Sequence, residues 1–190
     1  MTTIVTILTD DYADWETALL NAGARSYFKI DTRFATPGGK PVVSAGGLKV
    51  TPDLAVEDID PTAIDALIVN GGTAWASPNA PDISHALKAA RSAGKTVAGI
   101  CDGTVAMARA GILDDVDHTS NSPDNLPPTG YKGASRYKDQ PNAVVDGKIV
   151  TASGAAPVTF MAAVLETLGL RTPDLDAYLA MYGAEHKPSA

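Results

Sequence analysis

Short apolar runs alternate along this chain with stretches whose apolar residues recur at helical spacing. Residues 3–8 (TIVTIL) are β-branched and apolar and stop at Thr9, Asp10 and Asp11, the pattern of a strand buried on both faces. Trp15, Ala18, Leu19 and Ala22 follow at the period of a helix, with Gly23 and Ala24 as its expected end. Residues 33–36 read as a second strand, closed by Pro37-Gly38-Gly39. Val42-Val43 and residues 48–51, set around Gly46-Gly47, predict a small hairpin outside the main alternation. Residues 66–69 (ALIV) form another buried strand that runs into Asn70-Gly71-Gly72.

The second half repeats the rhythm. Residues 81–93 predict a helix with Pro81 near its first turn and Gly94 at its end. Residues 95–100 (KTVAGI) predict a strand, and 104–110 a short helix closed by Gly111. The stretch 122–137 carries Pro123, Pro127, Pro128 and Gly130 and reads as a long surface loop. Residues 143–145 and 148–152 flank Asp146-Gly147, a type I′ hairpin signal. Residues 158–168, between Pro157 and Gly169, predict a helix, and 173–182 a last amphipathic one. Strands and helices in this order imply an α/β fold, a three-layer sandwich with a mostly parallel twisted sheet and helices on both faces. The whole length, residues 1–190, is expected to be one domain.

Composition narrows the function classes. Fifteen Lys and Arg against 22 Asp and Glu leave a net charge of −7, which disfavours nucleic acid, whose binders spend clustered cations on phosphates. A hydrophobic share of 45% can fill a sizeable core. One cysteine excludes an internal disulfide framework and a cysteine-rich zinc site. Without an apolar run of about 18 residues no membrane span is expected. The opening residues have neither a basic stretch nor a small-residue cleavage site, so a cytoplasmic location is expected.

In open parallel sheets, ligands bind beyond the carboxyl ends of the strands, and three such ends carry suggestive residues here. Cys101 stands where a buried strand turns directly into a helix, the setting of a nucleophile elbow. Amides and helix dipole at such a turn are expected to lower the thiol pKa; a buried structural cysteine is the competing reading. Gly71-Gly72 suggests backbone amides open to a developing oxyanion, each donor worth about 2.7–4 kcal/mol, or else an ordinary turn. No third glycine completes a dinucleotide fingerprint. Glu16, beside Trp15, is either a solvated first-turn acid or a carboxyl kept protonated next to the thiol. His85 and His186 read as solvated. His118, on an expected strand, is either a structural histidine or an aid to the cysteine. None of the three has the spacing of a metal site. Trp15 and Trp75 are candidate pocket walls or core.

Taken together, Trp15-Glu16 after the first strand, IVNGG (68–72), AGICDGTVAMARAGIL (98–113), HTSN (118–121) and IVTASGAAP (149–157) resemble the ThiJ/PfpI superfamily over nearly the whole chain. That resemblance implies a flavodoxin-like, class I amidotransferase-like fold. It implies Cys101 as the elbow nucleophile, Glu16 as the acid hydrogen-bonded to it, and Gly72 and Asp102 as oxyanion amides. A homodimer is implied too, and no metal or cofactor. The sequence also departs from the family pattern. Protease-like members have a histidine where Asp102 stands, others have one on the strand after the elbow helix, at the place of Asn121, and true amidotransferases use a His-x-Glu pair that is absent here.

The expectation is therefore a cysteine-dependent hydrolase or lyase acting on a small-molecule electrophile, such as a 2-oxoaldehyde or an isocyanide. Cys101 would be its nucleophile and Glu16 its proton carrier, with Asn121, His118 and Trp75 as candidate pocket residues. The alternative is a non-catalytic redox sensor that oxidises at Cys101.

Overall fold

The computed structural model describes residues 1–184; His186 lies outside them. Seven strands form one sheet: β1 (Thr3–Ile7), β2 (Asp31–Thr36), β5 (Leu54–Ala55), β6 (Ala66–Val69), β7 (Thr96–Ile100), β8 (Val144–Asp146) and β9 (Ile149–Ala152). Their order is β5-β2-β1-β6-β7-β9-β8, and every pairing is parallel except that of β8 with β9. The expected α/β architecture is the one observed. A two-stranded hairpin, β3 (Val42–Val43) with β4 (Lys49–Val50), stands apart from the sheet.

The apolar runs are continuous because both faces of the sheet are covered. Leu67 and Val69 of β6 enter one core, with Leu87 and Ala90 of α2 (Ser84–Ser92) and Val105 and Met107 of α3 (Gly103–Arg109). Ala66 and Ile68 point the other way, into a second core. There they meet Leu20 of α1 (Asp14–Ser26), Phe160 and Val164 of α4 (Pro157–Thr167) and Leu175 of α5 (Pro173–Gly183). Alternate residues of one strand thus serve opposite layers.

Several local expectations are corrected. The first helix runs through Gly23 instead of ending there, because that glycine makes room for a neighbouring helix: a Cβ at Gly23 would stand 3.3 Å from the Tyr178 hydroxyl. The helix expected from residue 81 begins at Ser84, whose N–H is taken by Asp82 Oδ1 at 2.9 Å. The last hairpin has positive φ at Gly147 alone, which suits a type II′ turn and not the type I′ expected. The stretch 122–137 includes two short 3-10 turns, Pro127–Thr129 and Ala134–Arg136, and it buries Leu126 completely. His118 belongs to no strand and makes only an isolated bridge with Tyr137. The edge strand β5 was not anticipated.

This topology positions the site. Strand β6 lies at the centre, with β1 paired on one side and β7 on the other, so the segments leaving the carboxyl ends of these three strands are neighbours in space. Chain order changes direction between β1 and β6, the kind of switch point that opens a crevice.

Candidate active site

Cys101 follows β7 and precedes α3 with φ of +54°, a conformation that costs a residue other than glycine about 1–3 kcal/mol. Hydrogen bonds from both sides hold it there. Its N–H donates to the Ala152 carbonyl at 2.9 Å, and its own carbonyl accepts from the Thr104 N–H at 3.1 Å and the Thr104 hydroxyl at 2.6 Å. The turn lifts the side chain to a half-buried position above the sheet.

Glu16, in the first turn of α1, is only 1% exposed. Its Oε2 accepts the Gly71 N–H at 2.9 Å, and its carboxyl group shares the space beside Gly71 and Gly154 with the Cys101 side chain. Two glycines make the space. A Cβ at Gly71 would collide with Glu16 Oε2, and one at Gly154 would lie 2.8 Å from Glu16 Oε1 and 3.1 Å from Cys101 Sγ. Gly154, just past β9, was not singled out in the sequence. Its signal was the same as that of Gly71, a glycine just past a buried strand.

Asn121 closes the other side of the sulfur. Its Nδ2 donates to Cys101 Sγ at 3.1 Å and to Asp102 Oδ1 at 3.2 Å. Its Oδ1 accepts the Gly154 N–H at 3.0 Å, which fixes the orientation of the amide. Behind it, Asn125 Nδ2 reaches Asp102 Oδ1 at 3.4 Å and Ser120 Oγ at 2.9 Å, and Ser120 Oγ is 2.7 Å from the Thr104 hydroxyl. Asn125 and Ser120 are further residues that the sequence did not point to.

Burial dominates the protonation of the pair. It pushes the Glu16 carboxyl up to about 7, against the pull of the Cys101 and Gly71 hydrogen bonds, and the Asp102 charge pushes the same way as burial. Burial also pushes the Cys101 thiol up to about 12, with Asn121 and the Asp102 N–H pulling it down and Glu16 pushing it further up. The expected lowering of the thiol is therefore corrected: lost hydration outweighs the amides around the sulfur. Near neutral pH the sulfur keeps its proton, and Glu16 sits at the midpoint of its titration, ready to take that proton or return one.

Other expected site residues are placed elsewhere. His118 is fully buried with Nδ1 2.8 Å from the Val116 carbonyl. A carbonyl can only accept, so Nδ1 carries the proton, and Nε2 faces the Tyr131 hydroxyl at 3.5 Å. Both ring nitrogens face groups other than Cys101. Trp75 is fully buried in the α2–α3 core and donates its indole N–H to the Asn70 carbonyl at 2.8 Å, so it braces the β6 turn from within instead of walling a pocket. Trp15 is 59% exposed and lines a shallow groove of about 430 Å³ with Pro157, Tyr178 and Tyr182. Gly72 is drawn into an isolated bridge with Tyr12, while the N–H of Gly71 is the one given to Glu16. His85 is exposed on α2. Among the described residues no group of three or more His, Cys, Asp or Glu is placed to hold a metal ion, and no helix is long and apolar enough to cross a membrane.

The chain is similar to known proteins. The DJ-1/PfpI family model matches residues 2–167. The Bacillus subtilis protein named uncharacterized protease YoaZ is 35% identical over 171 residues, which cover 85% of this chain and 81% of the relative. The Caenorhabditis elegans glutathione-independent glyoxalase DJR-1.2 is 28% identical, over 73% of this chain and 74% of its own. The crystal structure of the DJ-1 superfamily protein Atu0886 from Agrobacterium tumefaciens superposes with a TM-score of 0.96 at 46% identity, over 98% of this chain and all of that one (100%).

Proposed function

The chain belongs to the DJ-1/PfpI family, and from that membership and the pairing of Cys101 with Glu16 we propose a cysteine-dependent enzyme that acts on small electrophilic carbonyl compounds. The observation that carries this reading is a carboxyl group, buried and raised by that burial to about 7, packed beside a thiol held at a strained elbow. A carboxylate of that basicity is suited to general-base work near neutral pH.

In the proposed step Glu16 takes the S–H proton as the Sγ–carbon bond forms. The π pair of the carbonyl moves to its oxygen, and the proton then passes from Glu16 to that oxygen. The product is a hemithioacetal, and Glu16 is left ionised for a second transfer. The Asp102 N–H, which helps pull the thiol down against burial, is the proposed donor to the developing oxyanion.

Two Bacillus subtilis relatives with protease in their names make peptide hydrolysis a rival reading for this chain. The engagement of the His118 ring by Val116 and Tyr131 supports carbonyl addition over peptide cleavage, which needs a further proton donor for the leaving amine. The relative named a glyoxalase supports a 2-oxoaldehyde substrate. A redox-sensing role is the second reading, because the raised Glu16 carboxyl could donate to an oxidised sulfur. The raised thiol weighs against it, since oxidation follows thiolate character.

A screen of 2-oxoaldehydes, isocyanides, glutamine and small amides with wild type and Cys101→Ser tests the proposal. Turnover of a 2-oxoaldehyde by wild type alone is expected. Turnover by both proteins, or by neither, overturns it, and selective oxygen addition at Cys101 without turnover favours the sensor. We propose further that two copies pair through the apolar groove lined by Trp15, Pro157 and Tyr182. Light scattering should then give twice the chain mass, and Trp15→Lys should restore the monomer.

A further inference from the structure

Asp102 follows Cys101 at the elbow, and among the described residues no cation is paired with it. Its Oδ1 is held by two neutral amides, Asn121 and Asn125. One Asn121 nitrogen bridges that oxygen and the Cys101 sulfur, so the carboxylate is two hydrogen-bond lengths from the reacting atom. The field of Asp102 reaches Glu16.

The turn between β1 and α1 adds acids whose contacts are also neutral. Asp10 accepts the Val43 N–H at 3.0 Å and Asp14 the Gly46 N–H at 2.8 Å. The ion pairs of the described residues lie elsewhere: they occupy Asp31, Asp115, Asp117, Glu166 and Asp176. Asp10 and Asp102, at the carboxyl ends of β1 and β7, are among the acids left without an ion pair in the described residues. An electrophile approaching the sulfur meets that field at short range, where solvent screening is weakest.

We propose that Asp102 sets a charge filter on this site. Neutral and cationic electrophiles are admitted, and those carrying a carboxylate or phosphate beside the reacting carbon are rejected. The filter rests on Cys101 being the reacting atom, as in the function proposed above. It names the substrate class within that function: uncharged or amine-bearing carbonyl compounds, and not 2-oxo acids or phosphorylated aldehydes.

The test reads the sulfur directly and needs no turnover, so it separates failure of the filter from failure of the enzymatic reading. Cys101 is the only cysteine. It can be modified at low salt with a trimethylammonium-bearing or a sulfonate-bearing ethyl methanethiosulfonate. The thiol displaces methanesulfinate, forms a mixed disulfide and releases its proton to solvent. The cationic-to-anionic rate ratio is expected to exceed that of N-acetylcysteinamide by about tenfold or more, and to collapse in high salt. Asp102→Asn should narrow it severalfold, and so should Asp102→Ala. Asp174→Asn, an equal change in net charge on α5, should leave it unchanged. A wild-type ratio equal to that of the small thiol overturns the proposal. So does an Asp102 variant with the wild-type ratio, or an Asp174→Asn effect as large as that of Asp102→Asn, which would assign the effect to net charge alone.

Discussion

Glu16 and His118 are both sealed inside this protein, at 1% and 0% exposure, and burial moves them in opposite directions. The acid is pushed up and the imidazole down, because in each case lost hydration penalises the charged form. Their partners separate them. His118 has a backbone carbonyl on one nitrogen and the edges of Tyr131 and Tyr137 around its ring, at centroid distances of 5.5 and 5.7 Å. Glu16 has one oxygen on a backbone N–H and faces a thiol with the rest. Desolvation alone does not make a buried ionisable group functional. A second reactive group within proton-transfer reach does.

Glu16→Gln should break that comparison most strongly. It keeps an oxygen for the Gly71 N–H and removes the base, so carbonyl turnover should fall by about 10²- to 10⁴-fold. Wild-type turnover should rise with pH through about 7 as the carboxyl ionises, and the variant should lose that rise. Stability should move the other way. The folded pKa lies above the ordinary value of 4.5, so the contribution of Glu16 is fully present below about 4.5 and is lost as pH rises through 7. A shift of that size corresponds to about 3 kcal/mol. Urea unfolding should therefore find Glu16→Gln more stable relative to wild type at pH 8 than at pH 4.5. An equal difference at both pH values would mean that the carboxyl is not desolvated.

Asn121→Ala probes the same site from its neutral side, with a smaller effect. The lost Nδ2–H···Sγ bond removes one of the two donors that oppose burial at the thiol. Alkylation of Cys101 by iodoacetamide at pH 8 should slow by about tenfold, as expected for a hydrogen bond to a charged group. Asn125→Ala, which removes contacts to Asp102 and Ser120 but none to sulfur, should slow it less. Equal slowing in both variants would show that the network acts only by holding the loop.

Much of this arrangement was legible in the sequence, and the limits of that reading are physical. Apolar runs revealed β1, β6, β7 and β9, because burial on both faces leaves no charged positions and only threonines among the apolar residues. The convergence of Glu16, Gly71 and Cys101 followed once β1, β6 and β7 were neighbours in the sheet. The thiol pKa was misjudged because turn amides can be read from a strand–turn–helix pattern while depth of burial cannot. Trp75 was misplaced for the same reason: an aromatic residue after a strand end reads alike whether it lines a crevice or fills the layer beneath it. Asn125 went unnoticed because its role comes from a contact across 23 residues of chain, with Asp102, where local pattern is silent; Gly154 had a local signal, its place just past a buried strand, but its partner Asn121 lies 33 residues away.

His118→Phe should leave turnover per folded molecule within about twofold of wild type, the smallest effect on activity here, because neither ring nitrogen reaches the sulfur. Its cost should appear in stability instead. Phenylalanine keeps the ring between Tyr131 and Tyr137 but leaves the buried Val116 carbonyl without the Nδ1–H donor, a loss of about 1–3 kcal/mol. The pH dependence supplies the sharper readout. The folded pKa of His118 lies below 6.5, so its contribution is complete above 6.5 and is lost as pH falls through the lower folded value. Wild type should therefore lose part of its advantage over the variant on acidification from pH 7 to pH 5, measured by urea unfolding. A fall in turnover as large as that of Glu16→Gln would place His118 in the reaction after all and erase the distinction between the two buried groups.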